Sequence, residues 1–234
     1  SFFLGTGFHR VVDRRHYDNP EFTGSWGVSD GDLMRKAHDE FTRLHAEGKP
    51  FFSLVFSSSN HTPYDYPVDA ITPVEQPPNT KRNAIRYADH ALGEFFALAR
   101  DSDYWDDTLF LVVADHDDRV FGRQLVPIEH FRIPGLILGK GITPRRDPRV
   151  FSQIDLPPTL LSLLGIASQH PMLGRDITTL PEAYEGRAIM DREHFSLMPA
   201  PANPELEREA LAHALWGSLA YRRGLYPPSI NGED

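Results

Sequence analysis

Two short apolar runs set the terms for this chain. Phe51-Phe52-Ser53-Leu54-Val55-Phe56 and Thr108-Leu109-Phe110-Leu111-Val112-Val113 have strand length and strand composition, and each opens into a polar loop. Between them, Ile85, Ala88, Leu92, Phe95 and Ala99 recur at spacings of three and four, which predicts an amphipathic helix over Lys81–Arg100. Another helix is expected over 31–46. Ser29 or Asp30 caps it, Leu33, Ala37, Phe41 and Leu44 keep its stripe, and Gly48-Lys49-Pro50 ends it. Gly135-Leu136-Ile137-Leu138 reads as a third strand and 186–190 as a last short one. Asp155-Leu156-Pro157-Pro158-Thr159 opens a short helix running to Leu164, with prolines where the first amides lack partners anyway. Asp155 reads there as a helix-start carboxylate. A terminal helix is expected over 204–223, within a helical segment 200–226. Strands separated by helices predict an α/β fold: a mainly parallel sheet with helices on both faces.

Composition narrows the function classes. Lys and Arg total 24 against 33 Asp and Glu, a formal net charge of −9. That balance argues against a broad nucleic-acid surface, which needs clustered cations to neutralise phosphates. No cysteine occurs, so disulfides, thiolate metal sites and a cysteine nucleophile are excluded within these residues. No apolar run reaches the roughly 18 residues that a membrane-spanning helix needs. The first residue is Ser1, with no signal-peptide pattern behind it, which suits either a trimmed protein or a piece of a longer one.

In open α/β sheets ligands bind beyond the carboxyl ends of the strands. That rule singles out two loops. After the second apolar run comes Ala114-Asp115-His116-Asp117-Asp118-Arg119, where a carboxylate and an imidazole suit a divalent ion such as Zn²⁺ or Mn²⁺. The alternative is a capped turn. Asp89-His90 repeats the dipeptide inside a helix, where neighbouring side chains diverge by about 100°, so it reads as structural. After the first run comes Ser57-Ser58-Ser59-Asn60-His61-Thr62-Pro63-Tyr64. His61 there can meet an anionic oxygen or serve as acid or base, or be an ordinary surface histidine. Asp117, Asp118 and Arg119 read as a solvated turn, and His130 is a candidate to close back on the site. The remaining histidines have no partner pattern. No G-x-S-x-G, G-x-x-x-x-G-K-[ST] or G-x-G-x-x-G occurs, so nucleophile elbows and nucleotide loops have no support.

Taken in order, several segments resemble the sulfatase-like branch of the alkaline phosphatase superfamily, with the lipoteichoic acid synthase and phosphoglycerol transferase group as the nearer match. They are Gly7-Phe8, Trp26-Gly27-Val28-Ser29-Asp30, Ser59-Asn60-His61-Thr62-Pro63-Tyr64, and Arg86-Tyr87-Ala88-Asp89-His90-Ala91-Leu92. Asp106-Asp107-Thr108, Val113-Ala114-Asp115-His116, Ile133-Pro134-Gly135-Leu136-Ile137 and Gln153-Ile154-Asp155-Leu156-Pro157-Pro158-Thr159-Leu160-Leu161 complete the set.

The resemblance implies that Asp115 and His116 bind a catalytic divalent metal ion (Mn, Zn, Mg or Ca). It implies that His61 contacts the substrate's anionic group, about a phosphate's breadth from the metal pair. The family's other metal carboxylate and its Thr or Ser nucleophile normally precede the region matched here. Residues 1–234 are therefore expected to be the C-terminal portion of one sulfatase-like catalytic domain, inactive alone and weak in metal affinity. The implied reaction is metal-dependent transfer or hydrolysis of a phosphate ester through a covalent intermediate. The implied substrate is an anionic ester such as a phosphoglycerol lipid, met outside the cytoplasm by a protein anchored through N-terminal membrane helices. Asp117 follows the Asp-His pair where classical sulfatases usually have Gly, which favours phosphate over sulfate. The competing expectations are a sulfatase, and a non-catalytic binding domain that kept the fold.

Overall fold

The structure is a computed structural model that describes residues 2–116, 132–184, 188–190 and 195–197. It divides into two compact units, Ser1–Thr108 and Leu109–Asp234.

The first unit opens with the one-turn helix α1 (Phe2–Gly5) and a small hairpin, β1 (Thr23–Gly24) and β2 (Gly27–Val28). Thr23 faces Val28 and Gly24 faces Gly27, so Ser25 and Trp26 form a two-residue turn. Helix α2 (Asp30–Ala46) follows at once. Ser29 caps it, its hydroxyl accepting from the Asp32 amide at 3.2 Å, and Asp30 and Asp32 place negative charge at the positive end of the helix dipole. Helix α3 (Lys81–Arg100) starts at Thr80, whose hydroxyl accepts from the Asn83 amide.

α2 and α3 pack together to form this unit's core. Ala37 and Phe41 meet a face of α3 made by Ala84, Tyr87, Ala91, Phe95 and Ala99, all buried. Phe41 stands edge-on to Phe95 and to Tyr104. The expected α3 stripe is thus displaced by one residue in its first half, and Ile85 is 49% exposed. The cause is close approach: small alanines let the helices near each other, and Tyr87 extends its hydroxyl to accept the Gly31 amide at 3.0 Å. A Cβ at Gly31 would lie 2.8 Å from that oxygen, so a larger residue there would have to displace the Tyr87 hydroxyl where the helices meet.

The segment 51–56 is not the strand expected from its composition. It is extended, but it pairs with no strand among the described residues. Phe51 packs against Phe41 and Phe52 against Phe8, while Phe52, Leu54 and Phe56 remain exposed. β-propensity supplies the extended backbone, yet a ladder needs a second chain in register.

In the second unit β3 (Phe110–Val113) pairs with β4 (Gly135–Leu138), with Phe110 opposite Leu138 and Val113 opposite Gly135. A 3₁₀ turn, Gln153–Asp155, runs into α4 (Leu156–Leu163). β5 (Ala188–Met190) pairs with β6 (Phe195–Leu197). All three strand pairs among the described residues are antiparallel. Parallel neighbours need a crossover that returns the chain to its starting end. The two-residue turn between β1 and β2 cannot provide one. The terminal helix expected over 204–223 lies outside the described residues.

Asp155 organises the second unit's turn. It is 1% exposed. One carboxylate oxygen accepts from the Ser152 amide at 3.0 Å and the other from the Arg175 amide at 2.9 Å. Thr159, one turn on, donates to the Asp155 carbonyl and accepts from the Ile177 amide. Asp155 is thus the helix-start carboxylate that the sequence suggested, and it also latches the chain at 175–177 against α4.

Candidate functional site

His61 lies in the first unit, on a loop tied down from below. Asp30 Oδ1, at the start of α2, accepts the amides of Ser58 and Ser59 at 3.0 and 3.2 Å. The other oxygen, Oδ2, is buried without a hydrogen-bond partner. The chain then turns tightly, with the His61 amide donating to Ser58 O and the Tyr64 amide to His61 O. Asp65 fixes the far side by accepting from both the amide and the hydroxyl of Ser25 in the β1–β2 turn. The neighbouring residue of that turn, Trp26, lies against the imidazole, with ring centroids 3.7 Å apart, and its indole N–H donates to Thr62 O at 2.8 Å. Ser25, Trp26, Ser29, Ser58, Ser59 and His61 surround a shallow polar recess. The Asp65 carboxylate also lines this recess, and each serine hydroxyl there can donate one hydrogen bond.

Next to this loop, Asp32 serves the fold. Burial pushes its carboxyl up, but the amides of Glu21 and Phe22, the Ser29 hydroxyl and the Arg35 guanidinium outweigh burial and hold it below the usual carboxylate value. Burial raises the Tyr87 hydroxyl, which keeps it neutral as the acceptor of the Gly31 amide.

Asp115 and His116 lie in the second unit, directly after β3. Asp115 Oδ1 accepts the His116 amide at 2.9 Å, and His116 Nε2 approaches Asp115 Oδ2 to 3.3 Å. Both side chains are more than half exposed. Two ligand atoms on a tetrahedral ion with bonds of about 2.0–2.1 Å stand about 3.3 Å apart. The donor types and their spacing therefore fit two positions of a divalent-ion site. Gln153 holds the backbone below the pair, its side-chain amide donating to the carbonyls of Ala114 and Asp115 at 2.7 and 2.8 Å. Among the described residues no group of three or more acidic or histidine side chains could hold a metal ion.

The other candidates sort as follows. Asp89 and His90 are exposed on α3, and His90 pairs with Glu94 one turn on, as a structural dipeptide should. His38, in the middle of α2, meets the Tyr104 hydroxyl, and His45, in its last turn, meets Asp107. Asp117, Asp118, Arg119 and His130 lie outside the described residues. The sequence reading overlooked Trp26, Asp65 and Gln153 as parts of the site. Trp26 carried a signal all the same: a tryptophan in a turn before a helix cap has no core to fill.

A family model described as Sulfatase matches residues 1–166. The chain is similar over most of its length to the crystal structure of a protein in the alkaline phosphatase superfamily from Vibrio parahaemolyticus. The TM-score is 0.89 and the identity 44%, covering 97% of this chain and 63% of that one. It is 25% identical to the lipoteichoic acid synthase-like protein YvgJ of Bacillus subtilis (strain 168), over 71% of this chain and 30% of that protein. It is 29% identical to phosphoglycerol transferase I of Xanthomonas euvesicatoria pv. vesicatoria (strain 85-10), over 75% of this chain and 26% of that protein. The chain thus spans between a quarter and a third of these two curated relatives. The likeness in structure fixes the fold class as the α/β fold of the alkaline phosphatase superfamily.

Proposed function

The chain belongs to the sulfatase family, and on that premise we propose that it is part of an enzyme for metal-dependent transfer or hydrolysis of a phosphate ester, of the phosphoglycerol transferase kind. Sulfatase-like domains belong to enzymes that act on phosphate or sulfate esters. The preference for phosphate rests on the two curated relatives and on Asp117 after the Asp-His pair.

The observation that carries the reading is the pairing of Asp115 Oδ2 and His116 Nε2 at 3.3 Å beyond β3. These two residues would hold a divalent ion. Bound there, the ion would acidify an attacking hydroxyl and offset charge on the phosphoryl oxygens. Gln153 keeps the loop backbone in place. His61 binds a phosphoryl oxygen or passes a proton to the leaving oxygen. The nucleophile is a Thr or Ser hydroxyl outside residues 1–234. It attacks phosphorus, the bond to the leaving oxygen breaks, and an acceptor hydroxyl or water then releases the phosphoryl group. The substrate class is an anionic phosphoglycerol ester. The whole protein would work at the outer face of a membrane, anchored by sequence other than that described here, because no helix among the described residues is long and apolar enough to cross one.

The test compares a phosphodiester with a sulfate ester of the same nitrophenol, on the full-length enzyme with added Mn²⁺ or Zn²⁺. Metal-dependent phosphodiester cleavage that Asp115→Ala abolishes is expected, with negligible turnover and weak ion binding by residues 1–234 alone. Preference for the sulfate ester would establish a sulfatase instead. Activity that survives Asp115→Ala and His116→Ala would refute the metal assignment, and no turnover of either ester would favour the binding-domain alternative.

A further inference from the structure

Trp26 is 58% exposed, although tryptophan ordinarily earns its place by burial. It does not hold its own hairpin together. Ser25 is fixed through Asp65, and the Ser29 amide donates to Phe22 O to close the hairpin base. Both capacities of the indole are directed at the adjacent residues His61 and Thr62. Its face lies 3.7 Å from the imidazole of His61 at an interplanar angle of 39°, and its N–H reaches Thr62 O at 2.8 Å. That carbonyl also stands 3.1 Å from His61 Nδ1. A carbonyl oxygen has two lone pairs and can only accept, so Nδ1 must carry its hydrogen. Among the described residues Nε2 has no partner.

We propose that Trp26 is a positioning residue that fixes the orientation and the tautomer of His61, presenting Nε2 to the anionic substrate. The tilted ring contact restricts the rotation of an exposed loop side chain, and the Thr62 carbonyl, itself held by the indole, keeps hydrogen on Nδ1. Nε2 is then the atom that carries the transferable proton. Protonated, it donates to a phosphoryl or leaving oxygen, and after transfer it is a bare acceptor. The proton on Nδ1 stays in place throughout. This proposal rests on the role given to His61 above.

The test uses the full-length enzyme and two readouts. In the first, histidines are labelled with ¹⁵N, His61 is assigned by comparison with His61→Gln, and long-range ¹H–¹⁵N correlations report which ring nitrogen bears hydrogen. The wild type should show hydrogen on Nδ1. Trp26→Ala should shift His61 towards the Nε2–H form that free imidazole side chains favour, and Trp26→Phe, which keeps a ring face but no N–H, should lie between. In the second, Trp26→Ala should lower kcat/KM for a nitrophenyl phosphodiester about tenfold, the loss of one ring contact and one hydrogen bond. The same change in a His61→Ala background should cost nothing further. An unchanged His61 tautomer in Trp26→Ala overturns the proposal, as does an equal kinetic loss in both backgrounds. Full turnover by His61→Ala refutes instead the role of His61 in the reaction, and the labelled spectra still decide whether Trp26 sets its tautomer. Because Trp26 is exposed, Trp26→Ala should melt with the wild type, and Trp26→Phe guards against the case in which it does not.

Discussion

Gly174→Ala should unfold the second unit's latch, and its size can be worked from the backbone. A Cβ built on Gly174 would lie 1.7 Å from Ile154 O, 2.5 Å from the Ile154 carbonyl carbon and 2.9 Å from Asp155 Cα. All three are backbone atoms, so no side-chain rotation relieves the overlap. Bringing the closest contact to even 3.0 Å needs a separation of about 3.0 − 1.7 = 1.3 Å. The chain after Gly174 is held by Arg175 N donating to Asp155 Oδ1 at 2.9 Å and Ile177 N donating to Thr159 Oγ1 at 3.0 Å. A shift of that size breaks the first bond and strains the second.

Overpacking costs about 1–3 kcal/mol, and each buried hydrogen bond lost costs about 1–3 kcal/mol when a partner is left behind. A loss of about 3–5 kcal/mol follows, a large share of the roughly 5–15 kcal/mol that stabilises a typical domain. Urea unfolding followed by circular dichroism measures it as a fall in midpoint. Gly93→Ala is the control. Gly93 sits inside α3 with nothing within 4 Å of its notional Cβ, so alanine should leave stability unchanged or raise it by up to about 1 kcal/mol. A Gly174→Ala midpoint equal to the wild type's would refute the packing argument. The consequence reaches the site, because Ile154 follows Gln153, and displacing it pulls the amide from the carbonyls of Ala114 and Asp115.

Three further outcomes are expected. Gln153→Ala should lower divalent-ion affinity of the full-length enzyme by about 10- to 100-fold, as outer-shell substitutions do. Its melting temperature should change little, since these bonds are exposed, and calorimetric titration with Mn²⁺ giving wild-type affinity would remove Gln153 from the site. Asp32 is held below its unfolded value of about 3.9 by the amides, hydroxyl and guanidinium that outweigh its burial. Its stabilisation is therefore present above that value and lost as pH falls through the lower folded one. Urea midpoints should accordingly drop more steeply in the wild type than in Asp32→Asn as the pH is lowered from 5 towards 2, and parallel curves would contradict the assignment. Tyr87→Phe should cost about 1–2 kcal/mol in the same assay, because the Gly31 amide loses a buried acceptor.

Local signals carried much of the fold. Both long helices begin where a Ser or Thr can cap them, and Asp155 was recognisable as a helix-start carboxylate before its partner at Arg175 was known. The first half of the α3 stripe was misjudged because Ile85 outweighs Ala84 on any apolar scale. The packed face favours small residues and a tyrosine whose hydroxyl has a specific acceptor role. Strand pairing fared worst: composition sets the extended backbone of 51–56, but its partner is a long-range property. Trp26 and Gln153 were opaque for the same reason, since each acts on backbone 36 to 39 residues away.

The two Asp-His dipeptides show why position outranks identity. Asp89-His90 and Asp115-His116 have the same donor atoms, and no measure of composition separates them. On α3 successive side chains leave the axis about 100° apart, and His90 turns instead to Glu94, four residues on at 3.5 Å. Beyond β3 there is no helical constraint. Asp115 folds back to accept the next amide, and its second oxygen comes to 3.3 Å from His116 Nε2. The Gln153 amide then fixes the backbone under both residues from another element. A helix disperses two potential ligands and a braced turn gathers them, so the chemistry assigned to the second pair depends on where its strand ends and on what holds that end still.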